Sequence, residues 1–183
     1  ESQMTTASDG YGQIVAPAEV RFERLLPGPI ETVWEFLTDA EKRGEWLASG
    51  PMELKVGGKV KLAFKHADLS PHKAPAPEKY RNLDAKGHES NHEITQIDPP
   101  RLLAMTWPKS SEVIFELKQQ GSQVLLTVTH RRLASREEMI DVSGGWHTHL
   151  DILVERANGR TPPAFWIVFG DIEQAYEKRY PRD

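Results

Sequence analysis

Two histidines stand close together in the stretch GGWHTHL, residues 144–150, of a chain that contains no cysteine. His147 and His149 are two positions apart, so on a helix their side chains point in directions about 200° apart and do not bind one metal ion together. Without cysteine, a metal site would need histidine and carboxylate ligands. We therefore predict a helix rather than a zinc motif, with His149 beside its apolar stripe and able to reach the rim of a cavity.

Three further histidines, His66, His92 and His130, lie in alternating segments that place them on one face of a predicted sheet. Three such imidazoles could bind a metal ion, but each could equally make its own buried hydrogen bond. No HExxH spacing and no nearby carboxylate cluster accompanies them. We therefore predict no metal site and no cofactor. A neutral histidine near its substrate can also act as a general base.

The amino-terminal third of the chain predicts one strand followed by two helices. The stretch EVRFERLL, which starts at Glu19, alternates as a half-buried strand does. An apolar stripe with helical spacing then predicts the first helix. Its members are Ile30, Val33, Trp34 and Leu37. Thr38 and Glu41 have capping-box spacing, which predicts a second short helix that runs towards Trp46.

The middle of the chain predicts a meander of antiparallel strands. The glycine pair at residues 57–58 joins MELKV to KVKLAF as a two-residue hairpin turn. Two further hairpins, around residues 98–100 and 121–122, bring the meander to about six strands. Residues 67–87 are too rich in proline and charge for a central strand. We predict that they form a lid-like insertion.

The last third returns to helical spacing. Ser135 and Glu138 form a second capping box, which predicts a long helix that ends near Gly159. Residues 160–183 then predict a further helix as a C-terminal extension. We assign residues 19–183 to one domain and residues 1–18, which are small and polar, to a flexible tail.

Six stretches in this order resemble the SRPBCC or START-like superfamily, and within it the bacterial branch homologous to the activator of the heat-shock protein 90 ATPase. They are PIETVWEFLTD with EWL, LKVGGKVKLAF, ITQIDPPRLLAMTW, VIFELK, LLTVTH and GGWHTHLDIL. The resemblance, which covers residues 19 to about 157, implies an α+β helix-grip fold. In that fold a curved antiparallel sheet of about seven strands wraps around a long C-terminal helix, with two short helices after the first strand.

The resemblance also implies a deep, mostly apolar cavity between the sheet and the long helix. Strand alternation selects most of the side chains that would face it, and the predicted helices supply the others, Trp46, Trp146 and Leu150. The full set is Trp46, Phe64, His66, Met105, Trp107, Phe115, Val128, His130, Trp146 and Leu150. We expect a small hydrophobic or amphipathic molecule to bind there, with His66 and His130 orienting its polar end.

Two other function classes stay open, because the superfamily includes carriers, receptors, cyclases and co-chaperone domains on one scaffold. The first is an enzyme that uses the same cavity, with His66 or His130 as the general base. The second is a co-chaperone-like domain that binds a protein partner. Exposed Trp166 and Phe169 near the C-terminus could also form a homodimer contact, unless the last helix packs back on its own domain.

Composition and charge limit the kinds of partner that we expect for the protein. A net charge of -4 over 183 residues gives no basic footprint for nucleic acid. No window is long and apolar enough for a membrane span, and the first residues, ESQMTTASDG, lack the pattern of a secretory signal. We therefore expect a cytoplasmic protein that does not bind nucleic acid and does not span a membrane.

Overall fold

The computed structural model describes residues 9–182. Its frame is a seven-stranded antiparallel sheet in the order β1-β2-β7-β6-β5-β4-β3. The strands are β1 (Gln13–Ala16), β2 (Glu19–Pro27), β3 (Lys59–Phe64), β4 (His88–Asp98), β5 (Leu102–Trp107), β6 (Ser111–Gln120) and β7 (Gln123–Arg131). The helices are α1 (Ile30–Thr38), α2 (Ala40–Gly44), α3 (Arg81–Lys86), α4 (Arg136–Ala157) and α5 (Phe165–Arg179). No helix within residues 9–182 is long and apolar enough to cross a membrane.

The core lies between one face of the sheet and the long helix α4. On β7, Val124, Leu126 and Val128 are fully buried and alternate with residues that are less covered, as expected for a strand with one packed face. Leu150 and Leu153 of α4 are equally buried. The sheet wraps the helix because the inward residues of each strand and the apolar stripe of α4 are removed from water together. The predicted α+β helix-grip fold is confirmed.

Local capping explains where two helices begin. The side chain of Ser135 accepts a hydrogen bond from the Glu138 amide at 3.1 Å, as predicted for the start of α4. Helix α2 differs from the prediction, because its cap is Asp39, whose carboxylate accepts from the Lys42 amide at 3.0 Å. Thr38 still belongs to α1, where its hydroxyl donates to the carbonyl of Trp34. The carboxylate one residue later therefore takes the capping role.

The predicted hairpin at residues 57–58 is wrong in its first arm. Residues 53–56 form no strand, and Met52 makes only an isolated bridge to Val60. The glycines pair with β4 instead: the Gly57 amide donates to the carbonyl of Ile94, and the Ile94 amide donates to the carbonyl of Gly58. The backbone of residues 51–58 is satisfied by two local turns, from Lys55 to Glu53 and from Gly58 to Lys55, and by two bonds to β3, between Glu53 and Lys59 and between Lys61 and Pro51.

The seventh strand comes from the segment that the sequence assigned to a flexible tail. Strand β1 pairs with β2, and the Gly12 amide donates to the hydroxyl of Tyr176 at 2.7 Å. The ring of Tyr11 packs on His147 with 4.6 Å between centroids. Tyr176 and His147 are more than one hundred residues away, so local composition could not reveal these two contacts. The tail assignment is wrong for residues 9–18, and residues 1–8 lie outside the described part.

Helix α5 packs back on its own chain. Trp166 and Phe169 are buried, and the indole nitrogen of Trp166 donates to Asp84 at 2.8 Å. The ring of Tyr80 stacks on Trp166 at 5.3 Å between centroids. The expectation that Trp166 and Phe169 are exposed is therefore wrong, and they do not form a surface for a second copy.

Buried Arg43 organises the segment between α1 and β3. Its guanidinium donates to the carbonyls of Ala48 at 3.0 Å and Leu37 at 3.2 Å, and also to that of Gly50. Burial lowers the pKa of Arg43 to about 10, so the side chain stays charged at neutral pH. A single guanidinium group therefore donates to backbone carbonyls that precede and follow α2.

We expect Arg43→Met to lower the free energy of unfolding by about 3 kcal/mol, because several carbonyls lose their donor at once. The matched control is Lys42→Met, one position earlier, whose exposed side chain makes only a surface ion pair with Glu35, an interaction that contributes little to stability. Urea unfolding of both variants measures the difference. A loss for Arg43→Met no larger than that of the control would contradict this role.

Candidate ligand-binding cavity

Two adjoining cavities lie beside α4 and share Gly145 and His149 as lining residues. The inner cavity has a volume of about 140 Å³ and lies between α4 and the sheet. Its other lining residues are Leu47, Phe64, Trp107, Val142 and Trp146. The outer cavity has a volume of about 230 Å³ and lies between α4, α5 and the insertion. Its other buried or half-buried lining residues are His66, Tyr80, Leu83, Phe165, Trp166 and Phe169.

The two glycines of α4 have different roles. A β-carbon on Gly144 would lie 3.4 Å from the ring of Phe169, so Gly144 allows α5 to approach closely. A β-carbon on Gly145 would meet no described atom within 4 Å. Glycine inside a helix is about 1 kcal/mol less favourable than alanine, and neither backbone conformation nor close packing requires it here. What Gly145 provides is open space at the junction of the inner and outer cavities.

His149 is fixed at the same junction by a hydrogen bond to the backbone. Its Nδ1 lies 2.8 Å from the carbonyl oxygen of Trp46, and because a carbonyl only accepts, Nδ1 carries the hydrogen. Burial, and then the neighbouring His66, lower the pKa of His149 to about 3. The ring is therefore neutral at pH 7, and its Nε2 is a hydrogen-bond acceptor. No described residue donates to that atom.

His66 lies opposite His149 in the wall of the outer cavity. The two ring centroids are 5.5 Å apart, and His66 also packs on Phe165 at 4.4 Å and on Trp166 at 5.1 Å. Burial lowers the pKa of His66 to about 4, so this ring is also neutral at pH 7. Its Nδ1 is buried and has no hydrogen-bond partner among the described residues. The imidazoles of His66 and His149 are thus two uncharged polar groups in a cavity with mostly aromatic walls.

The insertion and α5 form the outer wall together. The hydroxyl of Ser70 donates at 2.6 Å to the carbonyl of Pro162, in the segment just before α5, and the hydroxyl of Tyr80 donates at 3.3 Å to Glu173 of α5. Asp141 also lines the outer cavity but is exposed, so it marks the open side. A molecule that enters here would pass between the insertion and α4.

The residues predicted to line the cavity fall into two groups. Phe64, Trp107 and Trp146 line the inner cavity, and His66 lines the outer cavity. The remaining side chains pack within the core and touch neither cavity, although the Trp46 carbonyl holds His149. They are Trp46, Met105, Phe115, Val128, His130 and Leu150.

His130 has a different role from the one predicted. It is fully buried, its Nε2 lies 2.8 Å from the hydroxyl of Ser111, and its Nδ1 accepts from the indole nitrogen of Trp146 at 3.1 Å. Burial lowers the pKa of His130 to about 3. Neither ring nitrogen is available to a ligand or a substrate. His130 instead fixes the orientation of Trp146, which is a wall of the inner cavity.

The three histidines of the predicted inner face do not come together. His92 bonds through Nδ1 to the carbonyl of Thr106 and through Nε2 to the hydroxyl of Ser90, apart from His66 and His130. Within residues 9–182, no group of three histidine or carboxylate side chains is arranged to hold a metal ion. His92 and His130 instead make separate hydrogen bonds to different partners.

Several lining residues were not predicted from the sequence, because most of them come from parts of the chain far from the strands. They are Tyr80, Leu83, Gly145, Phe165, Trp166 and Phe169. The one local signal was Gly145, since a glycine within a helical stripe lowers helix propensity without an evident purpose. The aromatic residues of α5 predicted an apolar helix, but they did not show which part of the protein this helix packs against.

Fold and cavity together define a class of helix-grip proteins in which a curved sheet and a long C-terminal helix border an internal space. The chain belongs to the family of activator of Hsp90 ATPase homolog 1-like proteins, whose family model matches residues 27–158. The SRPBCC resemblance identified from the sequence motifs is thereby confirmed. No functionally curated protein is detectably similar to the chain.

Solved structures extend this similarity over most of the chain. The protein encoded by BPP1335 of Bordetella parapertussis is 44% identical, and the match covers 95% of this chain and 92% of that chain with a TM-score of 0.80. CalU16 from Micromonospora echinospora is 21% identical, with coverage of 92% and 93% and a TM-score of 0.64. EF2215 from Enterococcus faecalis, a conserved protein of unknown function, is 20% identical, with coverage of 94% and 91% and a TM-score of 0.64. The last two similarities show the fold alone.

The buried histidines predict how stability depends on pH. His66, His130 and His149 have folded pKa values of about 4, 3 and 3, whereas an unfolded histidine titrates at about 6.5. Between these values the unfolded chain binds more protons, so stability is complete above about pH 6.5 and falls as the pH is lowered. We expect each histidine to contribute a slope of up to about 1.4 kcal/mol per pH unit below that point.

Urea unfolding between about pH 7.5 and pH 5 measures this slope in a range where few carboxylates titrate. His149→Gln removes one buried imidazole, so we expect the slope of the free energy of unfolding against pH to fall by up to about 1.4 kcal/mol per pH unit. A free energy of unfolding that stays constant across the range would contradict the burial of these neutral rings.

Proposed function

We propose that the protein binds a small, mostly apolar molecule in the inner and outer cavities. The observation that carries this proposal is Gly145, a helix-interior glycine that leaves open space at the point where the two cavities adjoin. The lining is largely aromatic and aliphatic with few polar atoms, as is usual for small-molecule sites. Membership of a family whose fold commonly binds hydrophobic ligands also supports it.

The walls of the inner cavity are rigid. Trp146 is held by its hydrogen bond to His130 and packs on Trp107 at 5.3 Å and on Phe115 at 5.7 Å between ring centroids. A preformed aromatic wall loses little conformational entropy when a ligand binds. Affinity would come from the burial of apolar ligand surface, at roughly 25 cal/mol per Å².

The size of the space limits the ligand. The two cavities, of about 140 and 230 Å³, together lie just above the lower end of the range for drug-sized ligands, roughly 300 Å³. A fused two-ring molecule or one of similar bulk suits such a space better than a long acyl chain does. The open side near Asp141, between the insertion and α4, supplies the access route.

The enzyme alternative has less support from the geometry. His130, one of the two candidate bases, has both ring nitrogens engaged inside the core. His66 borders the outer cavity, but burial lowers its pKa to about 4, which makes it a weak base at neutral pH. These observations favour binding over proton transfer at this site.

Filling the cavity at Gly145 tests the proposal. We expect Gly145→Leu to weaken binding of naphthalene at least tenfold, because the new side chain occupies the junction while meeting no described atom at its β-carbon. Isothermal titration calorimetry of the full chain measures the affinity. Gly145→Ala should weaken binding less and raise stability by up to about 1 kcal/mol.

The matched control is Gly170→Leu, the same substitution at a helical glycine of α5 that also has open space but lines neither cavity. It should bind naphthalene as the unmodified chain does. Equal affinity in Gly145→Leu and the control, with both variants folded by circular dichroism, would overturn the assignment of the site. Absence of saturable binding to the unmodified chain would do the same.

A further inference from the structure

The chemical class of the ligand can be inferred from the two imidazoles in the cavity walls, an inference that rests on the proposed function. We propose that His66 and His149 together recognise a neutral hydroxyl group, and that the ligand is a hydroxylated aromatic molecule. Three observations carry this proposal: the orientation of His149, the unpartnered nitrogen of His66 and the charge of the lining.

His149 offers an acceptor whose identity is fixed. Its Nδ1 hydrogen is committed to the carbonyl of Trp46, so Nε2 is left with a lone pair. The side chain is 6% exposed, lines both cavities and receives no hydrogen bond at Nε2 from the described residues. An acceptor that has no donor and belongs to a side chain lining both cavities is available to a ligand group that donates to it.

His66 supplies the complementary unsatisfied group. Its Nδ1 is buried without a partner, and a neutral imidazole carries one donor and one acceptor. With 5.5 Å between the centroids of His66 and His149, one oxygen atom can lie within hydrogen-bond distance of both rings. A hydroxyl group can donate to His149 and accept from His66. An ether oxygen can only accept, so it leaves Nε2 of His149 unsatisfied.

The charge of the lining excludes ionic head groups. Among residues 9–182, no lysine or arginine lines either cavity, and the only charged lining residue is Asp141 on the open side. A carboxylate or phosphate would therefore enter an uncharged, largely apolar space without a counter-ion, which is unfavourable. A neutral hydroxyl avoids that penalty.

The rest of the lining favours a flat ring system. From the hydroxyl position at His149, the inner cavity presents Trp107 and Trp146, and the outer cavity presents Phe165 and Trp166. Offset and edge-to-face contacts with such rings stabilise an aromatic ligand beyond the burial of its surface. A phenol or naphthol has a hydroxyl group for the two imidazoles and a flat ring for these aromatic walls.

Three probes of nearly equal shape test the proposal: 2-naphthol, 2-methoxynaphthalene and naphthalene. We expect the full chain to bind 2-naphthol about five- to tenfold more tightly than the other two, as one well-made hydrogen bond provides. His149→Leu should bind all three probes alike. His149→Gln should keep part of the preference, because its amide can donate to the Trp46 carbonyl and still present an acceptor to the cavity.

His66→Phe should also reduce the preference for 2-naphthol, while His72→Leu, at an exposed histidine outside both cavities, should leave it unchanged. A preference that survives in folded His149→Leu would overturn the role of that residue. If His149→Leu does not fold, the probe series on the unmodified chain, His149→Gln and His66→Phe decide the question.

The outcomes separate this inference from the proposed function. Equal affinity of the unmodified chain for all three probes, with weakening in Gly145→Leu, would overturn hydroxyl recognition and leave the cavity as a binding site. No saturable binding of any probe, with Gly145→Leu indistinguishable from the unmodified chain, would overturn both.

Discussion

The candidate site depends on one hydrogen bond, from Nδ1 of His149 to the carbonyl oxygen of Trp46. It joins the segment after α2 to the long helix and determines which nitrogen of His149 faces the cavities. The Trp46 carbonyl is itself well fixed, because the indole of Trp46 donates to the carbonyl of Phe36 at 2.8 Å and the Trp46 amide donates to the backbone carbonyl of Arg43. The orientation of one imidazole therefore depends on the packing of the segment that follows α2.

His130 and His149 illustrate how burial can serve different purposes. His130 is buried with both nitrogens engaged, and it holds Trp146 in place from inside the core. His149 is almost as buried, but only one of its nitrogens is engaged, so the other is available to a ligand. Burial keeps both rings neutral, which makes them directional hydrogen-bonding groups instead of charges.

The outer wall is built from two segments that stabilise each other. The insertion contributes Tyr80 and Asp84, and α5 contributes Trp166, which stacks on the first and donates to the second. Neither segment has a complete apolar core of its own, so each needs the other to exclude water.

Periodicity and capping in the sequence determined the main frame of the protein. The alternation of β4 to β7 and the Ser135 cap of α4 are local signals, because each depends on residues within one element. The same patterns placed Trp107 and Trp146 on inward faces. They could not show that His130 is fully engaged, since its partners come from another strand and a helix. Tertiary structure decided which inward side chains pack solidly and which border empty space, because that depends on how closely distant elements approach.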